Sequence, residues 1–319
     1  MAETGENIIL GGVNMSILET TFCGIKLRNP TVLAAGVLGV SKSYFNELVD
    51  NKIGMITIKS ISRLPQTGHS SPCVLSFGPG LINAVGYPNQ GIDEAIKEFK
   101  DLHDINIPVM ANIIGKNIDD FDYMSKNFLP YDFAAVEIAL SCPHTPGYGM
   151  LAGQTTPEAT YDIVKTVKKN TSIPVIAKLS PNVENIGCLA KAAQDAGADA
   201  ISACNSVGPG MVINIDSKEP VLDFMVGGLS GPAIKPIAIR CVYEIYKQVD
   251  IPIIGIGGIT TGRDAIEMMM AGATVVGVGS AVYYRGVEVF QKINDEMEEW
   301  LIANNYSSVK EIVGKAHVK

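Results

Sequence analysis

Eight short apolar runs, rich in β-branched residues, recur along this chain and alternate with amphipathic stretches of helical period. They read TVLAAG (31 to 36), GMITIK (54 to 59), PVMANI (108 to 113), AAVEIAL (134 to 140), PVIAKL (174 to 179), DAISAC (199 to 204), PIIGIG (252 to 257) and TVVGVG (274 to 279). Runs that are apolar almost throughout belong to strands buried on both faces, which is the situation of a parallel sheet covered by helices. The intervening helical patterns include GIDEAIKEFKDLHD, TPEATYDIVKTVKKN, IGCLAKAAQDAGA and GRDAIEMMMAGA. Eight such units predict closure into an α/β (β/α)8 TIM barrel. The competing architecture, an open doubly wound sheet, lacks support: no Gly-x-Gly-x-x-Gly follows an early strand, and no phosphate loop of the Gly-x-x-x-x-Gly-Lys-Ser/Thr type occurs.

Two connections exceed what a turn requires, one from Ser60 to Gly91 and one from Asn205 to Gly231. They make long insertions after strands 2 and 6, at the C-terminal face where barrels build their sites. Residues 17–319 are expected to form a single domain, with residues 1–16 a loose N-terminal extension and Met15 an alternative start.

A formal net charge of -8 gives no basic field for a phosphate backbone, so nucleic acid is not an expected partner. No apolar run approaches the ~20 residues of a membrane span, and the acidic N-terminal segment is unlike a signal peptide. Cys23, Cys73, Cys142, Cys188, Cys204 and Cys241 show neither disulfide nor zinc spacing and suit reduced thiols of a cytoplasmic protein.

In a barrel, the polar residues that end the strands converge on one mouth. Here they are Lys59-Ser60, Asn112, Cys142 and His144, Lys178, and Asn205-Ser206, with Gly257-Gly258 and Gly279-Ser280 after the last two strands. Either small-residue pair alone serves an ordinary tight turn; together, in the two positions where barrels grip phosphate, they imply a phosphorylated ligand or cofactor. A lysine at a barrel mouth reaches to solvent, stabilises an anion or forms a Schiff base, the last making an aldolase-like lyase. Cys142 stands where an apolar strand meets a glycine-rich loop. The four histidines form no ligand-spaced cluster, so a metal role is disfavoured, and packing, nucleophile and base all remain open for the thiol.

Several stretches, in order, resemble the class 1 dihydroorotate dehydrogenases: SCP after strand 4, INAVGYPNQG (82 to 91), AKLSPN (177 to 182), GGLSGPAIKPIAIR (227 to 240) and IPIIGIGGI (251 to 259). GGLSGPAIKP is most similar to the NAD-linked (1B) branch, in which an FMN-carrying catalytic subunit works with an iron–sulfur flavoprotein. The resemblance implies oxidation of (S)-dihydroorotate to orotate in pyrimidine biosynthesis, with Cys142 the base that takes the C5 proton while hydride leaves C6 for FMN. It implies FMN contacts from Ala35, Gly36, Lys59, Ser60, Asn112, Lys178, Cys204, Gly231, Gly257, Gly258, Gly279 and Ser280. It implies substrate contacts from Lys59, Asn83, Ala84, Val85, Gly86, Tyr87, His144, Asn205 and Ser206. An FAD and iron–sulfur subunit passing electrons to NAD, and a homodimer core or heterotetramer, are the implied partners.

Two positions depart from the family pattern. Ala139 stands where an asparagine usually contacts flavin and substrate, and His144 where many members carry another asparagine. The SCPH motif also resembles the pyrimidine-binding domain of dihydropyrimidine dehydrogenases, which makes a dihydrouracil-like substrate the alternative.

Overall fold

The computed structural model describes residues 16–141, 147, 149 and 153–317. The expected extension, apart from Ser16, lies outside the described residues, as do Cys142 and His144.

The eight expected runs form the eight parallel strands of a barrel: Thr31–Leu33, Ile56–Thr57, Val109–Ile113, Ala135–Ala139, Val175–Lys178, Ala200–Ala203, Ile253–Ile256 and Val275–Val278. Their order around the sheet follows the chain, with the eighth paired to the first. The ring closes between the first two strands through a Val32–Met55 bridge and a hydrogen bond from Leu33 N to Met55 O of 2.9 Å. The second strand is shorter than expected because Lys59 N turns away to donate to Gly39 O, in the loop after strand 1.

Period-2 alternation now sorts each strand between an outer and an inner face. Outward residues such as Val109, Val136 and Ile201 pack under the helices, together with Phe45, Phe99, Phe121 and Phe128. Inward, Val32, Met55, Met110, Ala135, Ile176, Ala200, Ile254 and Val275 fill the lower barrel. Phe22 and Leu27, from the antiparallel pair Thr20–Phe22 and Ile25–Leu27, join this cluster, an N-terminal hairpin that the strand count did not anticipate. Two residues further along strands 3, 4, 5 and 6, the inward positions become Asn112, Glu137, Lys178 and Ser202, all buried. An apolar floor therefore carries a polar layer.

The two long insertions do not form separate walls. They meet in one antiparallel sheet ordered Val207–Gly210, Gly227–Ser230, Gly80–Asn83, Val74–Phe77. Ile82, Ala84 and Leu222 form its buried cluster, and the His69 ring stacks on Phe224 at 4.0 Å between centroids.

The helices after strands 6 and 7, Lys235–Tyr246 and Gly262–Met270, are tied at their starts. Lys235 Nζ donates to Asp264 Oδ1 at 2.8 Å, while Thr261 and Asp264 complete a capping box. Burial alone would raise the Asp264 carboxyl, but hydrogen bonds from Lys235, Thr260 and Thr261 outweigh it and hold its pKa at about 2 rather than the usual 3.8. A carboxyl depressed in the folded state contributes stability above its unfolded pKa and loses it as pH falls through the folded one. Substituting Asp264→Asn is therefore expected to cost stability above pH 3.8, with the difference from the unmodified protein shrinking toward pH 2. Urea midpoints measured across that interval check it; a pH-independent difference would show that the carboxylate charge is not the stabilising element.

Candidate active site

The C-terminal strand ends and the insertion sheet enclose a cavity of about 320 Å³. Lys59 and Lys178 are its two charged side chains among the described lining residues, with no carboxylate on the wall. Such a cavity favours an anionic occupant.

Lys59 follows the short second strand and is half-buried. Burial lowers its pKa, opposed by the nearby Cys73. Among the described residues, no carboxylate lies within ion-pairing distance of it. Lys178 differs: it is only 5% exposed and its Nζ lies 3.2 Å from Glu137 Oε1. Asn112 Nδ2 donates to the same oxygen at 2.6 Å, leaving Asn112 Oδ1 buried without a partner. An orphaned acceptor at a cavity wall fits an N–H donor on whatever binds there. Lys178 Nζ is thus engaged by a buried carboxylate behind the wall.

At the far end the backbone approaches closely. Gly257 has φ +135° and Gly258 φ +73°, and a Cβ on Gly258 would stand 2.5 Å from Lys235 Cβ. Gly231, with φ +85°, and Gly279-Ser280 complete this corner. Small residues and backbone alone suit it to a phosphate.

The opposite wall comes from the insertions. Asn83 and Val85 face the cavity, while Ala84 between them does not line it. The Ala84 methyl packs with Ile82 and Leu222, its N–H donates to Cys73 O at 2.8 Å, and its carbonyl lies 3.0 Å from His69 Nδ1. Ala84 thus packs within the insertion wall, while its neighbours in the expected substrate set line the cavity. Strand alternation explains the difference. Tyr87 follows Gly86 with φ +57°, a left-handed conformation unusual for a side chain of this size. Asn89 holds this turn: Nδ2 donates to Tyr87 O at 2.9 Å, and Oδ1 accepts from Gly91 N at 2.9 Å and Ser62 N at 3.2 Å.

After strand 6, Asn205 Oδ1 accepts from Ser206 N at 2.8 Å and its Nδ2 donates to Ser141 Oγ at 2.9 Å. Asn182 pins this loop by donating to Ser206 O and accepting from Gly208 N. Cys204 is buried; contact with the Cys241 thiol and then burial push its pKa well up, so it is a wall residue rather than a nucleophile. Ala139 is buried against Ile114 and Tyr87, making this part of the wall apolar.

Every residue expected to hold the cofactor thus lines one cavity, joined by Asn83, Val85, Gly86, Tyr87, Asn205 and Ser206 from the expected substrate set. Cys142 and His144 lie outside the described residues, although Ser141, which precedes Cys142, is tied to Asn205. Glu137, Asn89 and Asn182 were not anticipated. Glu137 carried a signal nonetheless, as the single charge within AAVEIAL. Among the described residues, no group of three or more candidate metal ligands occurs, and no helix is long and apolar enough to cross a membrane.

Residues 17–301 match the family model described as dihydroorotate dehydrogenase. A dihydroorotate dehydrogenase B (NAD(+)) catalytic subunit from Methanocaldococcus jannaschii is 43% identical over 305 residues, covering 94% of this chain and 98% of its own. The protein of the same name from Methanothermobacter thermautotrophicus is 43% identical over 302 residues, covering 94% and 99%. In structure, the chain is similar to the DHODH of Eimeria tenella solved with ferulenol, with TM-score 0.82, 22% identity and coverage of 95% of this chain and 89% of that one. That likeness concerns the fold.

Asn89→Ala is expected to cost about 1–3 kcal/mol through loss of its part-buried hydrogen bonds to Ser62, Tyr87 and Gly91. Urea denaturation measures the loss, and proteolysis after Arg63 reports loosening of the turn. A stability within error of the unmodified protein would remove Asn89 as the fastener of this wall.

Proposed function

The chain belongs to the dihydroorotate dehydrogenase family, and from that premise we propose that it is the FMN-carrying subunit that oxidises (S)-dihydroorotate to orotate in pyrimidine biosynthesis. The observation that carries this reading is a single cavity with two lysines, no described carboxylate on its wall, an unpartnered asparagine acceptor and a corner of small residues.

The donor set fits FMN. Gly231, Gly257, Gly258, Gly279 and Ser280 would hold the phosphate through backbone and hydroxyl groups, with Ala35, Gly36, Ser60 and Cys204 as further walls. Asn112 Oδ1 would accept from the ring system, and Lys178 would place a positive charge near it. When bound, FMN supplies the acceptor for the hydride. This chain's residues bind, orient and deprotonate the substrate. Lys59, without a described carboxylate partner, would face the orotate carboxylate, and Asn83, Asn205 and Ser206 would meet the polar edges of the planar ring. Tyr87 and Ala139 would close the apolar side. Cys142 would take the C5 proton, and as a thiolate it would be the stronger base.

The catalytic-subunit names of the relatives support a partner subunit. We assign that role to an iron–sulfur flavoprotein carrying FAD that passes electrons to NAD, because the described residues hold no cysteine cluster and the sequence holds no dinucleotide fingerprint. The catalytic core would be a homodimer or part of a heterotetramer, and its cysteines, free where described, suit the cytoplasm. A second reading has one observation in its favour. The apolar contact of Ala139 with Ile114 and Tyr87 supplies no amide there, which would suit a dihydrouracil-like ring.

An anaerobic absorption spectrum separates the two. Flavin colour bleached by dihydroorotate and not by dihydrouracil is the expected result; bleaching by dihydrouracil alone would establish the second reading, and a chain that takes up no FMN would refute both. Cys142→Ala is expected to retain FMN and to slow its reduction by at least about 100-fold, the usual contribution of a general base. Unchanged reduction in a stopped-flow experiment would remove Cys142 from the chemistry.

A further inference from the structure

Glu137 lies behind the cavity wall, 1% exposed, on the central residue of strand 4. It is the directly opposed neighbour of Asn112 on strand 3, and Lys178 stands on strand 5 opposite Ala139, one inward step further along. The register therefore brings three inward side chains together, and one carboxylate oxygen accepts from both Asn112 Nδ2 and Lys178 Nζ. Asn112 and Lys178 line the cavity; Glu137 does not.

Two consequences follow from this geometry. Because Nδ2 donates to Glu137, the orientation of the Asn112 amide is fixed and its Oδ1 is left as an unpartnered acceptor. A buried ammonium beside a buried carboxylate also contributes far less net field than a bare one, so the two lysines are not equivalent. Lys178 is a counterbalanced cation, whereas Lys59 has no carboxylate partner among the described residues.

Resting on the flavin reading above, we propose that Glu137 is a positioning residue that fixes the Asn112 amide and the Lys178 ammonium and sets how strongly the site favours reduced over oxidised FMN. By offsetting the charge of Lys178, it limits stabilisation of the electron-rich reduced ring and so leaves the electrons available to the next acceptor. Lys59, without a described carboxylate partner, is left to attract an anionic substrate.

The test is the midpoint potential of bound FMN in Glu137→Gln, measured by anaerobic spectroelectrochemical titration. Glutamine keeps an acceptor oxygen for both donors and removes the charge. The expected result is a potential raised by about 30 mV, equivalent to a tenfold stronger preference for the reduced two-electron form. A residue serving only to fill the barrel would lower thermal stability and leave the potential unchanged, and that outcome would overturn the proposal. Should Glu137→Gln not accumulate folded, Glu137→Gln combined with Lys178→Met leaves no unpaired buried charge. Compared with the unmodified protein, this double variant removes the balanced pair whole and is expected to hold the potential within about 10 mV; a fall of about 30 mV or more would show that Lys178 acts as an uncompensated cation and would overturn the proposal. Failure of the unmodified protein to bind FMN would instead refute the flavin reading, so the two failures are distinct.

Discussion

Closure of the parallel sheet is the constraint on which the rest of this structure depends. Once strand 8 pairs with strand 1, and Leu33 bonds to Met55, every strand has one face toward the helices and one toward a common axis. A side-chain period of two then assigns each residue to a face without further choice. The lower interior is apolar, sealed by Phe22 and Leu27 of the N-terminal hairpin. One step higher the same alternation delivers Asn112, Glu137, Lys178 and Ser202. Polar groups at that depth are tolerable only where they bond to one another or to a ligand, and the structure shows the first kind of satisfaction for Glu137 and leaves Asn112 Oδ1 open for the second.

The site is also made by what lies outside the barrel. The insertions after strands 2 and 6 arrive from opposite sides of the mouth and satisfy each other's backbone as one sheet. That pairing faces Asn83 and Val85 to the cavity and turns Ala84 away. Asn89 and Asn182 then fasten the two loops nearest the ligand space. Neither lines the cavity, yet the positions of Tyr87 and Ser206 depend on them. The proposed dehydrogenase chemistry accordingly uses a rigid floor of strands and a wall held by side-chain amides.

Much was legible in the chain because each signal was local. Eight β-branched runs marked the strands, glycine pairs the phosphate corner, and Lys59 and Lys178 the cations, since each such residue stands at a strand end that periodicity locates. Strand lengths were less legible: the second run, expected over 54 to 59, keeps only Ile56–Thr57 because Lys59 N finds Gly39 O instead. The N-terminal hairpin was missed because its two strands, TTF and IKL, are too short to carry a period.

The sequence by itself determined the architecture, the polar inventory of the mouth and the family, since these depend on residue type and spacing along one chain. Tertiary structure alone decided that Glu137 pairs with Lys178 while Lys59 has no described carboxylate partner, that the two insertions form one sheet, and that Ala84 faces away. Each of those facts is a matter of register between segments distant in the chain. Register is fixed only when neighbouring strands bury their apolar faces together, and a linear pattern does not record which of several equivalent pairings achieves that.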